Sequence, residues 1–229
     1  MIIHDIPKLA WSKVGADLFQ IEGNHYIVLV DYFSNYIDVS PLPDLSSKTT
    51  IKIIRTAISR FGIIDALISD NGLQFSREEF KTFTRDDMIN HVTSSPRHPK
   101  SNGLAENVVK TAKRMIKKCI ITGDDVNLAV LELNSTHRDD DVGSPMQQMF
   151  SRRVQTRLPT TEALLKPTHR EGEEVEKKLM QYRLKEKEYY DRGTRPRAEI
   201  KPGDAIRIQT DKGFQPAEFV GRYTPFIHR

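Results

Sequence analysis

A chain of 229 residues has room for one domain of ordinary size and a smaller appendage. With 38% hydrophobic and 29% charged residues it can bury a core, and its one cysteine, Cys119, excludes an intrachain disulfide and any cysteine-rich zinc cluster within these residues. The net charge of +4, with pI about 9.1, suits a polyanionic partner without demanding one. No apolar run reaches the roughly 18–20 residues of a membrane span. The opening segment from Met1 to Pro7 has neither the basic nor the apolar region of a signal peptide, so the expectation is a soluble, intracellular protein without a membrane partner.

Residues 14–21 and 25–32 are runs of Val, Ile, Leu and aromatics, and Gly23-Asn24 between them is a hairpin signal. The second run is almost continuously apolar, as in a strand buried on both faces. Residues 36–41 read as a third strand that stops at Pro41 and Pro43, which cannot donate to a ladder. The serines and threonines of 46–50 are cap candidates for a helix whose apolar face is Ile51, Ile54, Ala57, Ile58 and Phe61, with Gly62 as its stop. A short strand is expected at 64–69, then a turn at Asp70-Asn71-Gly72. Ser76 with Glu79 reads as a capping box for a helix to about Asp87, and residues 91–93 as another strand. After a loop rich in Pro, Ser, Asn and Gly, a helix is expected over about 104–121. Its apolar face is Val108, Val109, Ala112, Met115, Ile116, Cys119 and Ile120. Another helix is expected over 126–133.

The order of elements predicts a mixed α/β sheet packed against helices. Beyond Pro159 the composition changes. Residues 171–191 are dense in Glu and Lys with a thin stripe of Val175, Leu179, Tyr182 and Tyr189, which reads as an exposed helical linker. From Asp204 a strand opens a small β segment that ends too soon to close a barrel.

Three carboxylates stand out by context. Asp17 interrupts an apolar strand, where a charge is costly unless it has a partner or a metal. Asp70 closes a strand, and the carboxyl ends of strands in α/β sheets are where sites are built. Glu106 lies in the first turn of a helix that follows a loop. Each has an ordinary alternative: an edge-strand charge at Asp17, a turn former at Asp70, a helix-dipole partner at Glu106. Thirty-five residues separate Asp70 from Glu106.

That spacing comes with longer matching segments: Trp11 to Phe19, Tyr26 to Tyr36, Ser69 to Phe75, His91 to Pro96 and Ser101 to Glu106. In these segments the chain resembles the integrase core of gypsy-type retrotransposons and retroviruses, the family with an Asp, Asp-35-Glu triad. The resemblance covers about residues 8–160, including Arg152–Pro159, and Lys187–Arg192 with Lys201–Asp204 also looks like the family. It implies an RNase H-like fold with a five-stranded mixed sheet flanked by helices as the catalytic core (8–160). A charged helical linker (161–195) and an incomplete SH3-like β segment (196–229) would follow.

The resemblance also implies a polynucleotidyl transferase that trims DNA 3′ ends and joins them to target DNA. Asp17, Asp70 and Glu106 would be both the catalytic residues and the ligands of two Mg²⁺ (or Mn²⁺) ions, with Asp17 bridging them. Lys110, Lys113 and Lys117 fall on the helical face of Glu106 and are read as phosphate contacts. Asn102 and Lys100, on the preceding loop, are read as further DNA contacts, with Arg97 and His98 weaker. The implied partners are element ends, target DNA and further copies of the chain, and the implied location is nuclear.

Asp31 is read as structural, and the acids of His137–Asp141 as a solvated loop. Some family features are missing: a zinc-binding segment before the core, a proline where Leu73 stands, a basic residue where Asn107 stands, and an Asn-Thr-Pro segment near Asn134. These leave a catalytically silent, transposon-derived nucleic-acid-binding module as the alternative function. A simple RNase H-type nuclease is a third reading.

Overall fold

The structure, a computed structural model, describes residues 7–93, 103–137, 142–167, 172–191, 201–210 and 213–220. At residues 103–107 and at some later helix and hairpin positions it describes the backbone alone. The chain divides into two compact units, 1–189 and 190–229.

In the first unit, β1 (Lys13–Ile21), β2 (Asn24–Asp31) and β3 (Ile37–Leu42) form an antiparallel meander. The helix α1 (Ser47–Phe61) leads to β4 (Ala66–Ser69). Two helical segments follow, α2 (Leu73–Ser76) and α3 (Glu78–Asp86), and then β5 (Asn90–Thr93). Both β4 and β5 run parallel to β1, so the sheet order is β3-β2-β1-β4-β5, with β1 at its centre. The helices α4 (Gly103–Thr122), α5 (Val126–Ser135), α6 (Pro145–Phe150), α7 (Glu162–Leu165) and α8 (Gly172–Asp191) complete the main elements before the second unit. This is the expected mixed five-stranded sheet flanked by helices. The second unit contains one antiparallel hairpin, β6 (Ala205–Thr210) with β7 (Gly213–Glu218).

Alternation along β1 divides the core. Val14 and Ala16 join Ile54, Ala57, Leu67, Phe75 and Phe80 on the face covered by α1, α2 and α3. Phe19 points the other way, with Val28, Val30 and Ile37, against Val108, Val109, Ala112 and Ile116 of α4. The apolar face expected of α4 is therefore the one it buries, with Cys119 also enclosed.

Two polar devices hold this frame. Asp31 is fully buried and accepts from the backbone N–H of Trp11 (2.9 Å), the backbone N–H of Ser34 (2.9 Å) and the Ser34 hydroxyl (2.6 Å). Burial pushes its carboxyl above the usual range, and these donors oppose the shift. The bond also holds Trp11, whose φ of 65° is unusual for a bulky residue. Asn134, 1% exposed, clamps α5 to β3: Ile37 N–H donates to its Oδ1 (3.0 Å) and its Nδ2 donates to Ile37 O (2.8 Å).

Some local expectations need correction. The hairpin turns at Glu22 and Gly23, both with positive φ, because β1–β2 pairing closes at Ile21 with Asn24. Pro41 stays inside β3, opposite Tyr26, which an edge strand tolerates. Ser76 makes no capping box. It ends α2 and its hydroxyl donates to Leu73 O, while α3 starts after Arg77 without a side-chain cap. A capping box does form at Ser144 with Gln147, opening α6. The helix α8 is exposed at Met180, Leu184 and Tyr189, but Tyr182 packs against Phe33 and Val142.

Candidate active site

The parallel pairing of β1 with β4 sets Lys13 beside Ala66, Val14 beside Leu67 and Gly15 beside Ile68. Carried two residues further, this register puts Asp17 level with Asp70, the residue directly after β4. Neighbouring strands lie about 4.8 Å apart. Alternation directs Asp17, like Phe19, to the α4 face. Position 70 has the parity of Ala66 and Ile68, opposite to that of Leu67, whose side chain enters the α1–α3 core. Among the described residues the pairing stops at Gly15 with Ile68, so this level is the continuation of the register and not a contact between the two carboxylates. Asp17 is half-exposed and Asp70 exposed.

Asp70 is shaped by its turn. Its Oδ1 accepts from Gly72 N–H at 3.1 Å, a side chain-to-backbone turn typical of Asp. A Cβ on Gly72 would stand 3.0 Å from that oxygen and collide with the Gln74 side chain. The Gln74 amide is the flexible end of its side chain and can swing aside, so the close approach to Asp70 Oδ1, and not φ, is the constraint at Gly72. Behind the turn, Ser69 is 3% exposed. Its hydroxyl donates to Asp70 O at 2.8 Å and lies 2.8 Å from His91 Nε2.

The helix α4 brings cations to the same place. Lys113 Nζ is 2.8 Å from Asp17 Oδ2, with both side chains 36% exposed, and 5.2 Å from the centre of the Phe19 ring. An ion pair this open to water contributes only about 0–1 kcal/mol, so Lys113 can leave it at little cost. Lys110, Thr111, Lys113 and Arg114 line an open groove. Lys110 and Lys117 are exposed, and Lys117 is not part of that lining.

Glu106 lies seven residues before Lys113 on α4, almost in line with it and two turns nearer the N-terminus. That separates their backbones by about 10 Å. The Glu106 side chain is outside the described residues, as are Asn102, Lys100, Arg97, His98 and residues 138–141. Among the described residues no group of three His, Cys, Asp or Glu side chains converges on one point, and no helix is long and apolar enough to cross a membrane.

The donor set present is suited to a hard divalent cation: carboxylate oxygens, accessible to water, without thiolate or imidazole. The Lys113 ammonium on Asp17 shows that this carboxylate accepts a cationic partner. Ser69, His91 and Gly72 are the residues around Asp70 that sequence reasoning did not single out. His91 stood in a matching segment, but nothing in a strand sequence says which hydroxyl its ring will meet.

Residues 12–99 match the family described as integrase core domain. An uncharacterized protein of Caenorhabditis elegans is 31% identical over 218 residues, covering 91% of this chain and 16% of that protein. The Pro-Pol polyprotein of feline foamy virus is 29% identical over 131 residues, 55% of this chain and 11% of the polyprotein. The chain thus spans under a fifth of the length of these relatives. Among solved structures, the catalytic core domain of HTLV-2 integrase in complex with magnesium, in a trimeric form, is similar with a TM-score of 0.51 and 24% identity. The likeness covers 62% of this chain and 97% of that one.

Proposed function

We propose, from the match of residues 12–99 to the integrase core family, that this chain is a metal-dependent polynucleotidyl transferase acting on DNA, trimming 3′ ends and joining them to a target strand. The observation that supports this reading is the parallel β1–β4 register, which if continued two residues past Gly15–Ile68 would bring Asp17 level with Asp70, with Asp17 on the face covered by α4, the helix that also bears Glu106.

Asp17, Asp70 and Glu106 are the residues that would hold two Mg²⁺ or Mn²⁺ ions. Such a pair, when bound, stabilises charge on the attacking and leaving oxygens of an in-line displacement at phosphorus. Asp17, on the central strand, would be shared between the ions, with Asp70 and Glu106 as the further carboxylate ligands. The protein's own part is positioning. The sheet fixes Asp17, the Asp70–Gly72 turn fixes Asp70, and α4 fixes Glu106. Lys113, now paired with Asp17, would be available to a DNA phosphate if a metal took its place on that carboxylate. Lys110 extends the phosphate track along the groove, with Lys117, Asn102 and Lys100 as its outer contacts. The partners are element ends and target DNA, the working form is a homo-oligomer, and the location is nuclear, where target DNA lies.

The test is strand transfer on a short labelled duplex with Mg²⁺ or Mn²⁺, comparing the natural chain with Glu106→Gln. Metal-dependent joined products that disappear in the variant are the expected result. Cleavage without joining in both metals would replace the transferase reading with a nuclease. No metal-dependent chemistry from folded protein would leave a binding module.

A further inference from the structure

His91 stands on β5, on the sheet face away from Asp17, beside the rings of Phe80 (5.0 Å between centroids) and Phe75 (6.2 Å). Its Nε2 meets the Ser69 hydroxyl at 2.8 Å, and that hydroxyl donates its one proton to the Asp70 carbonyl oxygen. With the hydroxyl proton on the Asp70 carbonyl, Ser69 Oγ is left to accept, a role that the His91 tautomer with hydrogen on Nε2 meets. Burial holds His91 below its ordinary value and so favours the neutral ring. With Ser69 only 3% exposed, water is poorly placed to substitute for the ring.

The strand pairing explains why this matters at Asp70. Among the described residues, pairing of β4 with β1 ends at Gly15–Ile68 and pairing with β5 ends at Ser69–Thr93. No ladder partner among the described residues reaches Asp70 itself. Its side chain is held by Gly72 N–H, and its carbonyl is held by the Ser69 hydroxyl.

We propose that His91 is a positioning residue for Asp70, acting from the opposite face of the sheet through Ser69 so that the carboxylate is held level with Asp17 to take a divalent cation. The inference rests on Asp70 being a metal ligand, as proposed above. His91 touches neither metal nor DNA in this scheme, and its effect passes through one hydroxyl and one peptide group.

The test is Mn²⁺ binding to the full chain, followed by the electron paramagnetic resonance of free Mn²⁺, in His91→Phe, His91→Gln, Ser69→Ala, the His91→Phe/Ser69→Ala double variant and Asp70→Asn. Phenylalanine keeps an aromatic ring beside Phe75 and Phe80. Glutamine keeps an N–H donor near the Nε2 position. Altering the partner of a metal ligand typically weakens binding about 10–100-fold. This relay is a step more remote, so about 3–10-fold is expected for His91→Phe and for Ser69→Ala, with His91→Gln close to the natural chain. The double variant should be no worse than either single one, because both break the same path.

Natural affinity in both His91→Phe and Ser69→Ala, with loss in Asp70→Asn, would overturn the inference and leave the metal site standing. Equal loss in His91→Phe and His91→Gln would overturn it in favour of simple packing. No Mn²⁺ binding by the natural chain would overturn the metal reading of Asp70 and this inference with it.

Discussion

At the scale of single residues, the site depends on small groups that leave room for charge. Gly72 is the sharpest case, since its missing Cβ would crowd the Asp70 oxygen that its own N–H binds. Gly72→Ala should lower kcat about tenfold or more by displacing that carboxylate. Its melting temperature should stay within a few degrees, because the turn is exposed and its φ is ordinary. Thermal unfolding and turnover measured on one preparation check both halves. Lys113 makes a different prediction, as its pair with Asp17 is weak but its charge is well placed. Lys113→Ala should weaken DNA binding uniformly across sequences and reduce the slope of log K against log salt by about 1, measured by anisotropy between low and moderate salt. The three acids proposed as ligands stand out in the sequence because their types, spacing and flanking segments are all written in the chain. Ser69 and His91 do not, since their meeting depends on β4–β5 pairing, which no local pattern encodes.

At the scale of elements, periodicity and capping chemistry located most of the frame. Ser46 caps α1 and Gly62 ends it as its sequence suggests, and the apolar stripe of α4 is the buried one. Mistakes arose where two motifs competed for the same residue. Ser76 has the spacing of a capping box, yet its hydroxyl is already engaged by the preceding helical turn. Ser144 with Gln147 has the equivalent pattern and forms the box, because Pro145 at the first helical position pre-sets the start of α6. Short α2, α6 and α7 gave no periodic signal at four to six residues each. Asn134 shows how an element is fastened by one polar side chain. Asn134→Ala would leave the buried N–H and C=O of Ile37 without their side-chain partner. A loss of about 2–6 kcal/mol is expected, at about 1–3 kcal/mol for each of the two unsatisfied groups, read from the midpoint of urea unfolding at unchanged slope.

At the scale of the whole molecule, topology does what no single segment can. The strand order β3-β2-β1-β4-β5 makes β1 central, so β1, which carries Asp17, lies beside β4, which ends just before Asp70, although the two acids are 53 positions apart in the chain. The α/β class was legible from the order of elements, but that order fits several sheets. The particular sheet followed only from resemblance, and the pairing and the family match bear it out. The account's central claim is that Asp17, Asp70 and Glu106 form one metal site. It is tested most directly by substituting Fe²⁺ for Mg²⁺ and mapping where radicals generated with ascorbate and peroxide cut the chain. The account predicts three clusters of cuts, near residues 17, 70 and 106, suppressed by excess Mg²⁺ and lost in Asp17→Asn. Cuts near 17 and 70 without any near 106, or cuts that Mg²⁺ does not suppress, would contradict it.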